Sequence, residues 1–115
     1  MRKKRTSRKN VATETVVYGE HEEYEWDPQK AAANLKKHGV TFEEATTAFD
    51  DDRAMTLKDP HEDDERFVVI GMSNAARVLY VVHAERESVT RTRIISARLA
   101  EKREALRYAA GGEAL

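Results

Sequence analysis

Three strand-like runs in close succession constrain this chain more than any other feature. They are Arg66-Phe-Val-Val-Ile-Gly71, Arg77-Val-Leu-Tyr-Val-Val-His83 and Arg91-Thr-Arg-Ile-Ile-Ser-Ala-Arg98. Each is dense in β-branched and aromatic residues, and short polar stretches separate them, so they predict consecutive strands of a meander. Side chains alternate across a strand. Phe67 and Val69 therefore oppose Val68, Ile70 and Met72, while Leu79, Val81 and His83 oppose Val78, Tyr80, Val82 and Ala84. Both faces of the middle strands are apolar, whereas a sheet with one wet face alternates more cleanly. Each face needs a cover: helices on one, and the remaining helix or a partner chain on the other.

The third run has a different character. Arg91, Arg93 and Ile95 alternate with Thr90, Thr92, Ile94 and Ser96, so its first half reads as wet and cationic and its second as buried. Arginines and a histidine close the apolar runs. Solvated strand ends account for them, and so does a cationic working surface.

Helices precede and follow the strands. Thr15–Tyr18 and Tyr24–Trp26 read as short strands. Asp27 is suited to cap a helix, Pro28 to its first turn and Gly39 to a left-handed end, which predicts a helix through Gln29–His38. Ala31, Ala32 and Leu35 form its expected buried face. Lys36, Lys37 and His38 suit the negative end of its dipole. Thr41-Phe-Glu-Glu44 has capping-box spacing, and Phe42, Ala45, Ala48 and Phe49 give the second helix an apolar face. Arg53–Leu57 reads as a strand and Lys58–Glu65 as an acidic loop. A last helix is expected over Arg98–Tyr108, with Leu99, Ala105, Leu106 and Tyr108 inward and Lys102, Arg103 and Arg107 as a basic ridge.

The fold class is α+β: a short N-terminal strand, two short helices, a mainly antiparallel meander and a C-terminal helix. The expected division is a basic, flexible extension over 1–23, one domain over 24–110 and a short tail over 111–115. Six cations and no acid occupy residues 2–9, while acids dominate from Glu43 to Glu65, so a net charge of −1 conceals a polarised chain. A basic end suits an anionic polymer and an acidic middle suits a basic partner. No apolar run approaches a membrane span, and no apolar segment follows the basic start as a secretory signal requires. A cytoplasmic protein fits. There is no cysteine, which removes thiolate catalysis, disulfides and zinc–cysteine sites. His61 beside Asp59, Asp63 and Asp64 reads as part of a solvated loop rather than a metal site, and no metal or other cofactor is expected.

The remaining candidates form a cluster of Arg66, His83, Arg86, Arg91, Arg93 and Arg98. Strand ends of neighbouring hairpins meet in an antiparallel meander, so several of these residues can share one rim. Arginine recognises phosphate with planar, multi-donor geometry, and histidine titrates near neutrality. RNA cleavage without a metal needs a base for the 2′-hydroxyl, cations for the developing phosphate charge and an acid for the leaving oxygen.

The strings Glu25-Trp-Asp-Pro-Gln-Lys30, Asn34-Leu-Lys-Lys-His-Gly39, Phe42-Glu-Glu-Ala45, Glu65-Arg-Phe67, Val81-Val-His83, Glu85-Arg86 and Arg93-Ile-Ile-Ser-Ala-Arg98 resemble the BrnT toxins of bacterial type II toxin–antitoxin systems. The likeness runs from Tyr24 to Tyr108. It implies a small, metal-independent endoribonuclease of RelE-like fold that arrests translation. It also implies a hetero-oligomer with a DNA-binding, BrnA-like antitoxin, through which alone the toxin meets DNA. By resemblance Arg66, Arg86 and Arg93 would bind the scissile phosphate and His83 would transfer protons. Arg98 would join them or tie the last helix to the sheet. Lys37, His38, Arg91, Lys102 and Arg103 would contact RNA. Ala84 departs from the hydroxyl residue often found after the histidine, and Glu101 from the usual Thr or Ser cap. A non-catalytic protein- or nucleic-acid-binding module on the same fold is the alternative.

Overall fold

The structure, a computed structural model, describes residues 15–18, 23–59, 66–86 and 91–111. The basic arm over residues 1–9 and most of the acidic loop lie outside the described residues. Six strands form one sheet: β1 (Thr15–Tyr18), β2 (Glu23–Trp26), β3 (Met55–Lys58), β4 (Arg66–Met72), β5 (Val78–Arg86) and β6 (Arg91–Leu99). Their spatial order is β1-β2-β6-β5-β4-β3. Strands β3 to β6 make the expected meander, every pair antiparallel. Strand β2 then joins β6 in parallel, pairing Glu23 with Arg91 and Glu25 with Arg93.

Two helices, α1 (Pro28–His38) and α2 (Phe42–Ala48), lie on the first face. The Asp27 carboxylate accepts from the Gln29 N–H at 2.8 Å, and Gly39 turns out of α1 with φ 71°. That left-handed turn is the conformation glycine adopts at least cost. The Thr41 hydroxyl accepts from Glu44 N–H at 3.0 Å. Only this half of the expected capping box forms, because the Glu44 carboxylate turns instead to Arg77 and Ser73. Trp26, Phe42, Ala45, Ala48, Val69, Leu79, Val81 and Ala97 meet in the main core.

The expected inward face of α1 needs correction. Ala31 packs against the core as expected, but Leu35 is 47% exposed and Ala32 is exposed too, while the buried residue is Asn34. Its amide donates to Val40 C=O at 3.0 Å and Ala97 C=O at 2.8 Å, and accepts from Ala97 N–H at 3.1 Å. A polar clamp, not an apolar stripe, fastens α1 to β6.

The second face is covered at one end. Helix α3 (Lys102–Ala109) packs Tyr108 against Val68 and Ile70, and the Tyr108 hydroxyl donates to Asp51 at 2.5 Å. Strand β6 runs on to Leu99, so α3 starts four residues later than its helical pattern predicted. Glu101 is its cap residue, with its N–H donating to Glu104 at 2.7 Å. Leu99 and Leu106, expected inward, are about half exposed. Val78, Tyr80 and Val82 remain only partly buried beside the small cluster under Tyr108. No described helix is long and apolar enough to cross a membrane.

Candidate active site

Register decides which candidate residues meet. A β-bulge interrupts β5–β6: Val82 pairs with Ser96 but His83 pairs with Ile94, leaving Ile95 as the extra residue. Arg98 follows Arg93 by five positions, so uninterrupted alternation would put them on opposite faces. The bulge restores them to the same one. Arg98 pairs with Tyr80 and lies over its ring at 3.8 Å, and Arg93 pairs with Ala84 two positions beyond Val82. Arg66 pairs with Ala84 from the other side.

The second face therefore carries a continuous row, Arg66–Ala84–Arg93–Glu25, across four strands. Adjacent strands lie about 4.8 Å apart, so Arg66 and Arg93 stand about 10 Å from each other across the small Ala84. One row outward, Arg86 pairs with Arg91, which pairs with Glu23. Arg93 Nη1 donates to Glu25 Oε2 at 3.0 Å, Arg91 Nε donates to Glu23 Oε1 at 2.8 Å, and Arg91 Nη1 lies 3.6 Å from Glu25 Oε1. Glu25 is 4% exposed, whereas the Glu23 side chain is about one-third exposed. The first half of β6, expected to be wet, is thus ordered by ion pairs, and Thr92 on its other face is buried.

His83 does not join the arginines. It shares the first face with its neighbour Phe67, whose ring centroid is 6.0 Å away, and the Phe49 ring stands edge-on at 5.0 Å. It is 2% exposed, and neither ring nitrogen has a hydrogen-bond partner among the described residues. Burial pushes its pKa down to about 4. The alternation that placed His83 beside Leu79 and Val81 already implied this face. The helix that seals it was the missing fact.

Arg98 sits on the open face but is engaged inward. It chelates Glu104 at 2.8 and 2.9 Å and donates to Leu99 C=O at 3.0 Å, joining α3 to β6. Burial opposes ionisation of Glu104, yet its bonds to Arg98 and Glu101 N–H hold it below the usual carboxylate range. Lys102 and Arg103 stand exposed on the first turn of α3, beside this link. Lys37 and His38 lie elsewhere. The end of α1 sits against Arg77, whose Nη2 donates to Gly39 C=O at 3.1 Å, at the start of β5 rather than at its Arg86 end. An open groove of about 660 Å³, lined by Thr47, Asp50, Asp51, Met72, Asn74 and Tyr108, also lies away from the arginine rows.

Glu23 and Glu25 were not singled out by sequence reasoning. The available signal was their spacing, two acids at i and i+2 matching Arg91 and Arg93, a pattern that becomes a ladder only if the strands pair. Among the described residues, no group of three or more histidines and carboxylates is placed to hold a metal ion.

The chain is a small α+β domain with one sheet face covered at one end by α3, and arginines stand in rows along the other end of that face. The chain matches the family described as the ribonuclease toxin, BrnT, of type II toxin–antitoxin systems over residues 26–104, and it belongs to that family. It is accordingly an enzyme, a ribonuclease toxin. Its fold is similar to the 1.1 Å crystal structure of the Brucella abortus ribonuclease toxin BrnT, with 24% identity and a TM-score of 0.54. That alignment covers 67% of this chain and 94% of the Brucella protein. No curated protein matches the sequence.

Proposed function

We propose that this toxin is an endoribonuclease that cuts RNA without a metal ion, arrests translation by doing so, and is neutralised by a DNA-binding antitoxin of the BrnA kind. The observation that carries the reading is the Arg66–Ala84–Arg93 row. Two arginine positions about 10 Å apart along the row, with the small Ala84 between them, leave a seat in which a phosphodiester can be gripped from both sides. Charge that accumulates on the non-bridging oxygens in the transition state is met by fixed cations, the role a divalent ion fills elsewhere. Arg86 and Arg91 extend the cationic surface to a flanking phosphate. Lys102 and Arg103 provide a further contact at the lower border, while Lys37 and His38 touch RNA only if it wraps to the first face. The antitoxin covers the apolar floor that α3 leaves open, formed by Tyr80 and Val82. Basic segments of that antitoxin complement the acidic stretch after Asp59.

The test is induction of the protein alone and with the antitoxin, followed by incubation of purified protein with end-labelled RNA in excess chelator. Arrest with RNA loss, relieved by the antitoxin and abolished in folded Arg66→Ala and Arg93→Ala variants, is expected. Intact RNA and unaffected growth from folded protein would leave only a binding role. Cleavage that survives both arginine variants would remove the row from the mechanism.

A further inference from the structure

We propose that Glu25 is the proton acceptor that activates the attacking 2′-hydroxyl of the RNA. The inference rests on the ribonuclease reading above and adds a group to its chemistry. A hydroxyl attacks phosphorus slowly unless a base removes its proton, and such a base must stand within hydrogen-bond reach in the bound complex. His83 is sealed on the opposite face. Tyr80 lies two rows from Ala84, beyond the bulge and under the Arg98 guanidinium, and Glu104 is held at that same distant group. Among the described residues of the arginine rows, the carboxylates are Glu23 and Glu25.

Geometry separates those two. Glu25 continues the row that forms the phosphate seat, whereas Glu23 lies one row outward. From Ala84 to Glu25 is two strand spacings, about 10 Å, which accommodates the scissile phosphate over Ala84 and the attacking ribose beside it. Arg93 lies between Ala84 and Glu25 in the row, and its guanidinium donates to the carboxylate. Contacts from Arg93 and Arg91 fix Glu25 from two directions, and a fixed base is an effective one. Burying a carboxylate carries a desolvation cost. Linking β2 to β6 does not require it, since backbone pairing and the outer Glu23–Arg91 pair already do so.

The step balances as follows. The Glu25 carboxylate takes the 2′-hydroxyl proton as the 2′-oxygen forms a bond to phosphorus. The bond from phosphorus to the 5′-oxygen breaks, and that oxygen takes a proton from water. The products are a 2′,3′-cyclic phosphate and a 5′-hydroxyl, and Glu25 returns its proton to solvent.

The experiment is single-turnover cleavage of a short RNA by the full chain, with binding measured on the same RNA carrying a 2′-deoxy sugar at the cut. Glu25→Gln is expected to slow cleavage about 10²–10³-fold while binding stays within about threefold and the fold is kept by circular dichroism. In Glu25→Ala, added formate is expected to restore cleavage by about tenfold or more, a rescue that a merely structural role does not allow. If the amide variant fails to fold, Glu25→Asp keeps the charge between the arginines, and shortening the arm is expected to slow cleavage about tenfold. A folded Gln or Asp variant cutting within about threefold of the native rate overturns the assignment, as does a loss of binding that matches the loss of rate. Native protein that cuts no RNA defeats the ribonuclease reading and this inference together. Native cutting with an intact Gln variant defeats this inference alone.

Discussion

Acid should unfold this protein partly through one buried ring. His83 has a free-chain pKa of 6.5 and a folded pKa of about 4, lowered by burial between Phe49 and Phe67. Because the folded value is the lower one, the unfolded chain binds the proton first as pH falls. The neutral ring's contribution is fully present above pH 6.5 and is lost between there and pH 4. One pKa unit corresponds to about 1.4 kcal/mol, so this group removes about 2 kcal/mol by pH 4.5 and about 3 kcal/mol at completion. Other groups lose stability in the same direction. Glu44 is held low by its bond to Arg77, and Asp51 is held low although its burial works against ionisation. Comparing native protein with His83→Leu cancels them, since the variant keeps an apolar side chain of similar bulk and lacks only the titration. Urea unfolding at pH 7.0, 6.0, 5.0 and 4.5 supplies the two curves. The variant should lose about 2 kcal/mol less than the native chain over that range. Parallel curves would falsify the account of His83 as a desolvated, unpaired ring. The same variant should cut RNA within about tenfold of the native rate, since its ring lies across the sheet from the arginines.

Three further outcomes follow from the packing. Asn34→Ala leaves two carbonyls and the Ala97 N–H without their buried partner, so denaturant unfolding should show a loss of about 2–4 kcal/mol; a loss typical of an exposed helix position would mean that α1 is held some other way. A methyl added at Gly71 would lie 2.6 Å from Ala48 C=O and 3.0 Å from Ala54 Cβ, both on backbone-anchored atoms, and Gly71→Ala should cost about 2 kcal/mol, with a neutral change in melting temperature counting against that close approach. Arg98→Met keeps an unbranched stem over Tyr80 but gives up the paired bonds to Glu104; it should cost about 1–2 kcal/mol and slow RNA cleavage by less than about tenfold. Loss of cleavage at unchanged stability would move Arg98 from the helix link into the site.

Local rules located the elements well because their signals are chemical and close in sequence. Asp27, Pro28 and Gly39 delimited α1 to within one residue, and β-branched runs gave β4 and β5. What local rules could not supply was the partner of each surface. Leu35, Leu99 and Leu106 have the spacing of inward residues, yet burial depends on what lies opposite. At α1 the opposing surface is the β6 backbone, which an amide satisfies and a leucine cannot. The end of β6 was obscured for a related reason, since Arg98–Tyr108 has helical propensity throughout. Pairing of Leu99 with Leu79 extends the strand, and a strand in a sheet gains more than four residues of helix propensity offer. The two apolar faces of the middle strands were legible from alternation alone, and each is covered in the structure, the second only in part.

The site was less legible than the fold because it is a row across strands rather than a motif along one. Arg66, Ala84, Arg93 and Glu25 come from four separate segments, and no spacing rule links them before the strand order is known. Two structural events assemble the surface. Parallel addition of β2 brings its acids against the arginines of β6, and the extra Ile95 reverses the parity of that strand so that Arg93 and Arg98 face the same way. Neither is visible in composition, and the strict alternation used on the sequence gave the wrong parity beyond Ile94. The bulge also separates two kinds of arginine. Above it Arg91 and Arg93 meet acids from a neighbouring strand on a face that no described helix covers. Below it Arg98 meets an acid from the helix that covers that face. One inserted residue thus divides the sheet into an end that its own helix covers and an end that, among the described residues, no helix covers.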